Sequence, residues 1–137
     1  MEIKAVILAA GKGTRMKSNT PKVLHKIFEK PLLGYVLDNV KNIVNESFVI
    51  VGHHAEEVTE YVQKEYENAK TVLQTPQLGT GHAVSMVCPS LENFDGQVII
   101  LCGDTPLITE DTLKKFIDYH NSNNSDLTVM SLSLIHI

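Results

Sequence analysis

A glycine-containing turn with several basic side chains is the part of this sequence best suited to chemistry. The turn, residues 11–15, follows the apolar run 3–9 and contains Lys12 and Arg15, and Lys22 comes a few positions later. Glycines let a backbone turn tightly and direct N–H groups inward, which makes a nest of donors for phosphate oxygens. Because the three basic side chains add fixed positive charge, the segment predicts a site for a triphosphate.

Two other phosphate-binding motifs do not match this sequence. The dinucleotide fingerprint needs a third glycine where this chain has Met16, and an acid after the second predicted strand where it has Gly52-His53-His54. The Walker loop also needs a glycine at Met16, just before Lys17. The sequence therefore argues against a nicotinamide enzyme and against a P-loop NTPase.

Charge is distributed unevenly along the 137 residues, which carry a net charge of −4. Residues 1–30 contain seven basic and two acidic residues, whereas residues 31–137 contain five basic and fourteen acidic ones. The overall negative balance argues against a nucleic-acid partner, and the local basic block suits a compact polyanion.

Several features predict a cytoplasmic location and no membrane association. No apolar run approaches the roughly 20 residues that a bilayer crossing needs, and the chain does not open with the basic segment of a secretory signal. Cys88 and Cys102 are too few for a disulfide framework, so two reduced thiols are expected.

Apolar segments of two periodicities alternate along the chain. Those typical of buried strands are residues 3–9, 47–51, 71–73 and 97–102, with a possible fifth at 126–132. Helical spacing is found in Leu33/Val36/Leu37/Val40, in Val58/Tyr61/Val62 and in Leu113/Phe116/Ile117/His120. Pro31 suits a first helical turn and Thr109 a helix N-cap. The alternation predicts one α/β domain: a mostly parallel sheet with helices on both faces and ligands beyond the carboxyl ends of its strands.

Three segments together resemble the sugar-nucleotide pyrophosphorylases. They are residues 8–16 with Pro-Lys-Val-Leu-His at 21–25, Leu-Gln-Thr-Pro-Gln-Leu-Gly-Thr-Gly-His-Ala at 73–83, and Gly-Asp-Thr-Pro-Leu-Ile at 103–108. The closest resemblance is to the N-terminal uridylyltransferase domain of the bacterial bifunctional N-acetylglucosamine-1-phosphate uridylyltransferase/glucosamine-1-phosphate acetyltransferase family. It runs in register from Ile3 to about Val129 and implies a Rossmann-like, nucleotide-diphospho-sugar transferase fold.

The resemblance implies a role for each matching residue. The implied nucleotide-binding residues are Leu8, Ala9, Ala10, Gly11, Gly13, Lys22, Gln74, Gly79, Thr80 and Gly103. Arg15 and Lys22 would be catalytic and face the phosphates, and Asp104 would hold Mg²⁺. Gln74, with Gly79 and Thr80, would recognise uracil, a task that suits a side-chain amide because it both donates and accepts. On its own, Gln74 could also be an exposed amide at a strand end.

The implied reaction transfers UMP from UTP to N-acetylglucosamine 1-phosphate and gives UDP-N-acetylglucosamine, a peptidoglycan precursor, and pyrophosphate. Full-length family members are expected to form homo-oligomers through a C-terminal domain that this chain lacks. Two alternatives stay open: another sugar-1-phosphate nucleotidyltransferase, or a non-catalytic nucleotide-binding module.

Four histidines are expected to have structural roles. His53 and His54 are interpreted as structural residues that point to opposite sides of an extended segment, and His82 and His25 as residues that orient loops by hydrogen bonding.

Residues 1–131 are interpreted as a partial nucleotidyltransferase domain, incomplete at its C-terminus. Residues 132–137 match the translation of a sequencing adapter and are expected to be an artificial tail. A second metal ligand and the sugar contacts are expected to be missing, so the chain alone is predicted to be marginally stable and nearly inactive.

Overall fold

The computed structural model describes residues 1–131, in which the predicted alternation of strands and helices is confirmed. The strands are β1 Ile3–Leu8, β2 Lys26–Ile27, β3 Lys30–Pro31, β4 Glu46–Val51, β5 Ala69–Leu73 and β6 Gln97–Cys102. The helices are α1 Leu32–Val40, α2 Ala55–Glu65, α3 Thr80–Ser85 and α4 Glu110–Ser122. None of these helices has the length and apolar character that crossing a membrane requires.

The main sheet has the order β5-β4-β1-β6, and each of its neighbouring strands is parallel. β1 lies inside this sheet because its side chains are apolar on both faces: Ala5, Val6 and Ile7 are all fully buried. In register, Val6 lies between Phe48 of β4 and Ile100 of β6. The carboxyl ends of four strands therefore meet at one edge.

Helices cover the two faces of the sheet unequally. One face, with Ile7 and Val49, packs against α1, α2 and α4. The other face, with Val6, packs against Ala83 of α3 and the residues that follow it. On this second face Ile100 of β6 is 49% exposed. The prediction of helices on both faces is confirmed, with a thinner layer over β6.

The possible fifth strand is wrong for the described part of residues 126–132, and Leu132 lies outside the described residues. Residues 126–131 form no strand, and Leu127 and Val129 are 80% and 74% exposed. Strand propensity reflects packing on a half-buried sheet surface, and these side chains find none. The antiparallel β2–β3 hairpin has no apolar alternation and was not predicted.

Helix starts follow the predicted local chemistry. The Thr109 hydroxyl accepts a hydrogen bond from the Thr112 amide at 3.3 Å, which confirms it as the N-cap of α4. Pro31 is the N-cap of α1 rather than a first-turn residue, a shift of one position.

Candidate active site

The predicted site residues lie on loops at the carboxyl edge of the sheet. The glycine turn follows β1, Gln74 follows β5, and Gly103 and Asp104 follow β6. Backbone hydrogen bonds tie the turn to the neighbouring strands: the Gly103 amide donates to the Leu8 carbonyl at 2.9 Å, and the Ala9 amide donates to Ile50 at 2.9 Å. Residues separated by almost a hundred positions are thus held together.

The first part of the turn presents backbone, not side chains. Ala9 and Ala10 are 4% and 7% exposed, whereas Gly11 is exposed and has open space where a side chain would begin. A side chain at Gly103 would begin 3.0 Å from the Leu8 carbonyl oxygen. Small residues here let two loops approach closely, as a backbone nest for phosphate requires.

Gly13 connects the turn to Lys22. Its φ of 56° is left-handed, and a Cβ placed on it would lie 2.9 Å from the Lys22 Cβ. Gly13 also accepts a hydrogen bond from the Met16 amide at 3.0 Å, which closes the short 3-10 turn. Both the conformation and the close approach to Lys22 favour glycine at this position.

Lys22 and Asp104, predicted separately, form an ion pair. The Lys22 Nζ donates to the Asp104 Oδ2 at 2.5 Å, and the two side chains are 41% and 31% exposed. Lys22 begins a 3-10 turn whose next residue, Val23, is buried in the core. The backbone that carries the ammonium is therefore anchored, while its end reaches the cleft.

Positive charge exceeds negative charge around this pair. Lys12 and Arg15 are exposed and form no ion pair with any residue in the range 1–131. Arg15 lies on the same loop as Gly13, and within residues 1–131 its guanidinium forms no hydrogen bond or ion pair with Lys22 or Asp104. A ligand with several negative charges would complete this surface.

Gln74 is buried at 4% exposure, so the alternative of an exposed strand-end amide is wrong. Its side-chain Nε2 donates to the Gly79 carbonyl at 2.9 Å and to the His82 Nδ1 at 3.1 Å. Accepting that bond places the His82 ring proton on its Nε2. The prediction that His82 orients the loop is confirmed, and Gln74 is its partner. Thr80 starts α3 and is exposed beside this network.

The donor set at Asp104 fits magnesium. Mg²⁺ is usually held by one or two carboxylates together with phosphate oxygens and waters, not by a full cage of side chains. Among residues 1–131 no group of three or more His, Cys, Asp or Glu side chains could hold a metal ion. A lone, half-exposed carboxylate beside a phosphate nest is the kind of ligand that a phosphate-bridging cation uses.

The expected orientation of His53 and His54 is wrong. Their rings pack edge to face with centroids 4.3 Å apart, because His54 adopts a left-handed φ of 55° and the segment is not extended. The His54 Nδ1 lies 2.7 Å from the Glu57 Oε1. These contacts support a structural role for both residues.

The prediction that His25 orients its loop by a side-chain hydrogen bond is wrong for its Nε2 atom. This atom is buried and has no hydrogen-bond partner in the part of the chain that the structure describes. Sequence reasoning also missed Gly52, where a Cβ would lie 3.0 Å from the Ala10 Cβ. The sequence signal that could have identified Gly52 is its position directly after the strand β4.

Shifted pKa values are found on α4 and at the opposite, amino-terminal edge of the sheet. A pocket of 490 Å³ there is lined by residues that include Asp38 and Tyr66. Burial raises the pKa of Asp38, but hydrogen bonds from Lys30 and Lys41 outweigh it and hold this pKa below its ordinary value. Burial raises the pKa of Tyr66, whose hydroxyl donates to the Gly34 carbonyl at 3.0 Å.

The pKa of Glu46, the first residue of β4, is also held below its ordinary value by hydrogen bonds from two lysines. The hydrogen bond from Lys70 is the main cause that lowers its pKa, burial opposes it, and the hydrogen bond from Lys4 lowers it further. Asp38 and Glu46 are thus each paired with two lysines within the protein.

Sequence and structure comparisons agree on the class of fold. A family model described as the MobA-like NTP transferase domain matches residues 5–133. The bifunctional protein GlmU of Alkaliphilus oremlandii is 50% identical over 135 residues, which are 98% of this chain and 29% of that protein. GlmU of Staphylococcus haemolyticus is 50% identical over 132 residues, 96% of this chain and 29% of that protein. The chain thus spans 29% of the length of these relatives.

Solved structures give the same picture. HddC from Yersinia pseudotuberculosis, complexed with GMP-PN, superposes with a TM-score of 0.72 at 28% identity, covering 85% of this chain and 53% of that one. Rv0371c from Mycobacterium tuberculosis, in complex with manganese, has a TM-score of 0.70 at 20% identity, covering 89% and 61%. At that identity the second likeness concerns the fold alone.

Proposed function

This chain belongs to the MobA-like NTP transferase family, and from that premise we propose that it transfers UMP from UTP to N-acetylglucosamine 1-phosphate. The products would be UDP-N-acetylglucosamine and pyrophosphate. The observation that carries the proposal is the glycine turn packed on Lys22, with Asp104 at hydrogen-bonding distance from the ammonium. Identity of 50% to two GlmU proteins supports the choice of substrates.

In this proposal the nucleotide lies across the carboxyl edge of the sheet. Backbone N–H groups of residues 10–13 hold the phosphates, since the Ala9 amide already donates to Ile50, and the Gly103 segment closes the cleft beside them. The uracil is recognised by the segment that begins at Gln74 and includes Gly79 and Thr80. Because the Gln74 amide nitrogen already bonds to Gly79 and His82, its carbonyl oxygen is the atom assigned to the base.

The chemical step needs no protein nucleophile. A phosphate oxygen of the sugar phosphate attacks the α-phosphorus of UTP, the bond to the bridging oxygen breaks, and pyrophosphate leaves. The protein contributes position and charge: Arg15 stabilises the departing pyrophosphate, and Lys22 stabilises charge at the reacting phosphorus. Asp104 would hold Mg²⁺, which supplies further positive charge to the phosphate oxygens.

We further propose Mg²⁺ as the physiological cation, a cytoplasmic location, and homo-oligomers of the longer protein formed through a domain outside this chain. The lone carboxylate of Asp104 at the carboxyl edge of the sheet supports a divalent cation shared with phosphate oxygens. Free thiols at Cys88 and Cys102 are compatible with a reducing compartment.

A nucleotide series tests the proposal on this chain. Calorimetric titrations with UTP, CTP, dTTP and GTP in the presence of Mg²⁺ are expected to give the tightest binding for UTP. Tightest binding of GTP would instead favour a guanylyltransferase, an alternative supported by the GMP-PN complex of HddC.

Turnover is tested in a graft, in which residues 1–131 replace the matching segment of the S. haemolyticus protein. The graft is expected to release pyrophosphate from UTP and N-acetylglucosamine 1-phosphate in the presence of Mg²⁺. A graft that folds and binds UTP without releasing pyrophosphate would favour a non-catalytic nucleotide-binding module.

A further inference from the structure

We propose that Lys22 is an internal counterion, which occupies the cation position on Asp104 and moves to the nucleotide phosphates when UTP binds. This inference rests on the proposed function and deepens it. The Lys22 Nζ lies 2.5 Å from the Asp104 Oδ2. The ammonium therefore occupies the position beside this oxygen that a bound metal ion would take. Metal binding and the resting ion pair therefore compete for one carboxylate.

The competition follows from the way charges are paired around Lys22. Among residues 1–131, Asp104 is the one carboxylate that forms an ion pair with Lys12, Arg15 or Lys22. An ammonium paired with Oδ2 of Asp104 weakens the binding of a divalent ion to the same carboxylate, because the two cations repel each other. A triphosphate brings enough negative charge to hold both, so its arrival removes the conflict.

Lys22 is built to make such a move. Its backbone is fixed, since Val23 is buried and the Lys22 Cβ lies against Gly13. Its side chain is 41% exposed, and the four-carbon stem of a lysine is flexible. The ammonium can therefore exchange Asp104 for a phosphate on the Gly13 turn without rearranging the backbone.

The effect of UTP on metal binding and the effect of the metal on UTP binding are thermodynamically linked. If UTP withdraws Lys22 from Asp104, UTP strengthens metal binding, and the metal strengthens UTP binding by the same factor. Without nucleotide, Lys22 keeps the metal site weak and prevents Asp104 from remaining an unpaired charge. The pair thus acts as a positioning device that couples two ligands.

Metal affinity of the nucleotide-free chain is the first test, measured by electron paramagnetic resonance of free Mn²⁺. Lys22→Met is expected to tighten Mn²⁺ binding about fivefold, the worth of a half-exposed ion pair. Lys26→Met is the matched control. This substitution removes the same charge, but Lys26 pairs with no carboxylate in residues 1–131. Asp104→Asn should abolish the binding. Equal or weaker Mn²⁺ binding in a folded Lys22→Met or Lys22→Gln protein would overturn the proposal.

The movement of the ammonium is the second test. In protein labelled at the lysine Cε carbons, with metal removed by chelator, UTP is expected to shift the Lys22 resonance, which Lys22→Arg identifies by its loss. An unmoved resonance despite UTP binding would contradict the exchange. The two proposals fail separately: absence of UTP binding to the unsubstituted chain counts against the function, whereas unchanged Mn²⁺ affinity after Lys22→Met counts against the exchange alone.

Discussion

The two ends of the sheet handle charge in opposite ways. At the amino-terminal edge, Asp38 and Glu46 each accept hydrogen bonds from two lysine side chains. At the carboxyl edge, Asp104 pairs with Lys22 alone, while Arg15 finds no carboxylate among the described residues. The first arrangement pairs both of these carboxylates within the protein, and the second leaves positive charge that a ligand could pair with.

This difference distinguishes a stabilising cluster from the proposed binding site, which has a similar composition. Both edges contain lysines and carboxylates, and the amino-terminal edge even has the pocket of 490 Å³. Residue types and cavity size therefore do not identify the site. The unbalanced charge and the close-packed glycines do, because they define a surface that only a polyanion completes.

The largest expected effect is on turnover. In the graft, Arg15→Ala is predicted to lower kcat by about two to three orders of magnitude, because a preorganised charge at the leaving group is lost. Lys41→Ala, which removes a cation from the amino-terminal edge, is the control and should leave kcat unchanged. A pyrophosphate-release assay that finds equal losses for both variants would erase the contrast between the edges.

A second, smaller effect concerns the glycine turn. Gly13→Ala is expected to weaken UTP binding to this chain about tenfold, since a left-handed alanine costs about 1–2 kcal/mol and its Cβ would displace Lys22. Gly81→Ala is the matched control, with open space around the new methyl group and no positive φ. Calorimetry measures both, and an unaffected Gly13→Ala protein would remove this turn from the phosphate site.

At the amino-terminal edge the expected effect is on stability. Asp38→Asn should lower the free energy of unfolding by about 1 kcal/mol, a value already reduced for the partial exposure of its two ion pairs. The affinity for UTP should not change. Urea titration and calorimetry on the same protein check the two statements, and a loss of UTP affinity would show that this edge contributes to binding.

The pH dependence of stability gives the finest test. Folding lowers the pKa of Glu46, so its contribution is fully present above the ordinary value of 4.5 and is lost as the pH falls through the lowered value. Lowering the pH from 5 to 3 should therefore destabilise the parent more than Glu46→Gln. Equal pH slopes in thermal unfolding would contradict this assignment.

The parts of the fold that sequence could predict are those fixed by local pattern. The four apolar runs became the main sheet: β1 and β4 are buried on both faces, whereas β5 and β6, at the sheet edges, are apolar but only partly buried. The segment near Leu127 shares the composition of a strand but not its burial, and composition alone cannot distinguish the two. The β2–β3 hairpin lacks any periodic signal and could not be predicted.

The site was predictable in its residues but not in their contacts. Glycine and cation spacing indicates the phosphate turn, and the resemblance to known proteins adds Asp104. The ion pair of Asp104 with Lys22 joins residues 82 positions apart, a distance at which no local pattern operates. The burial of Gln74 and its bond to His82 depend likewise on how α3 packs on the sheet.

A crystal structure of the chain with UTP and Mn²⁺ tests the central claim most directly. Anomalous scattering should place the Mn²⁺ ion at the Asp104 carboxylate, with the triphosphate against residues 11–13 and Lys22 turned toward a phosphate. An anomalous peak away from Asp104, or the nucleotide bound in the pocket near Asp38, would contradict the account.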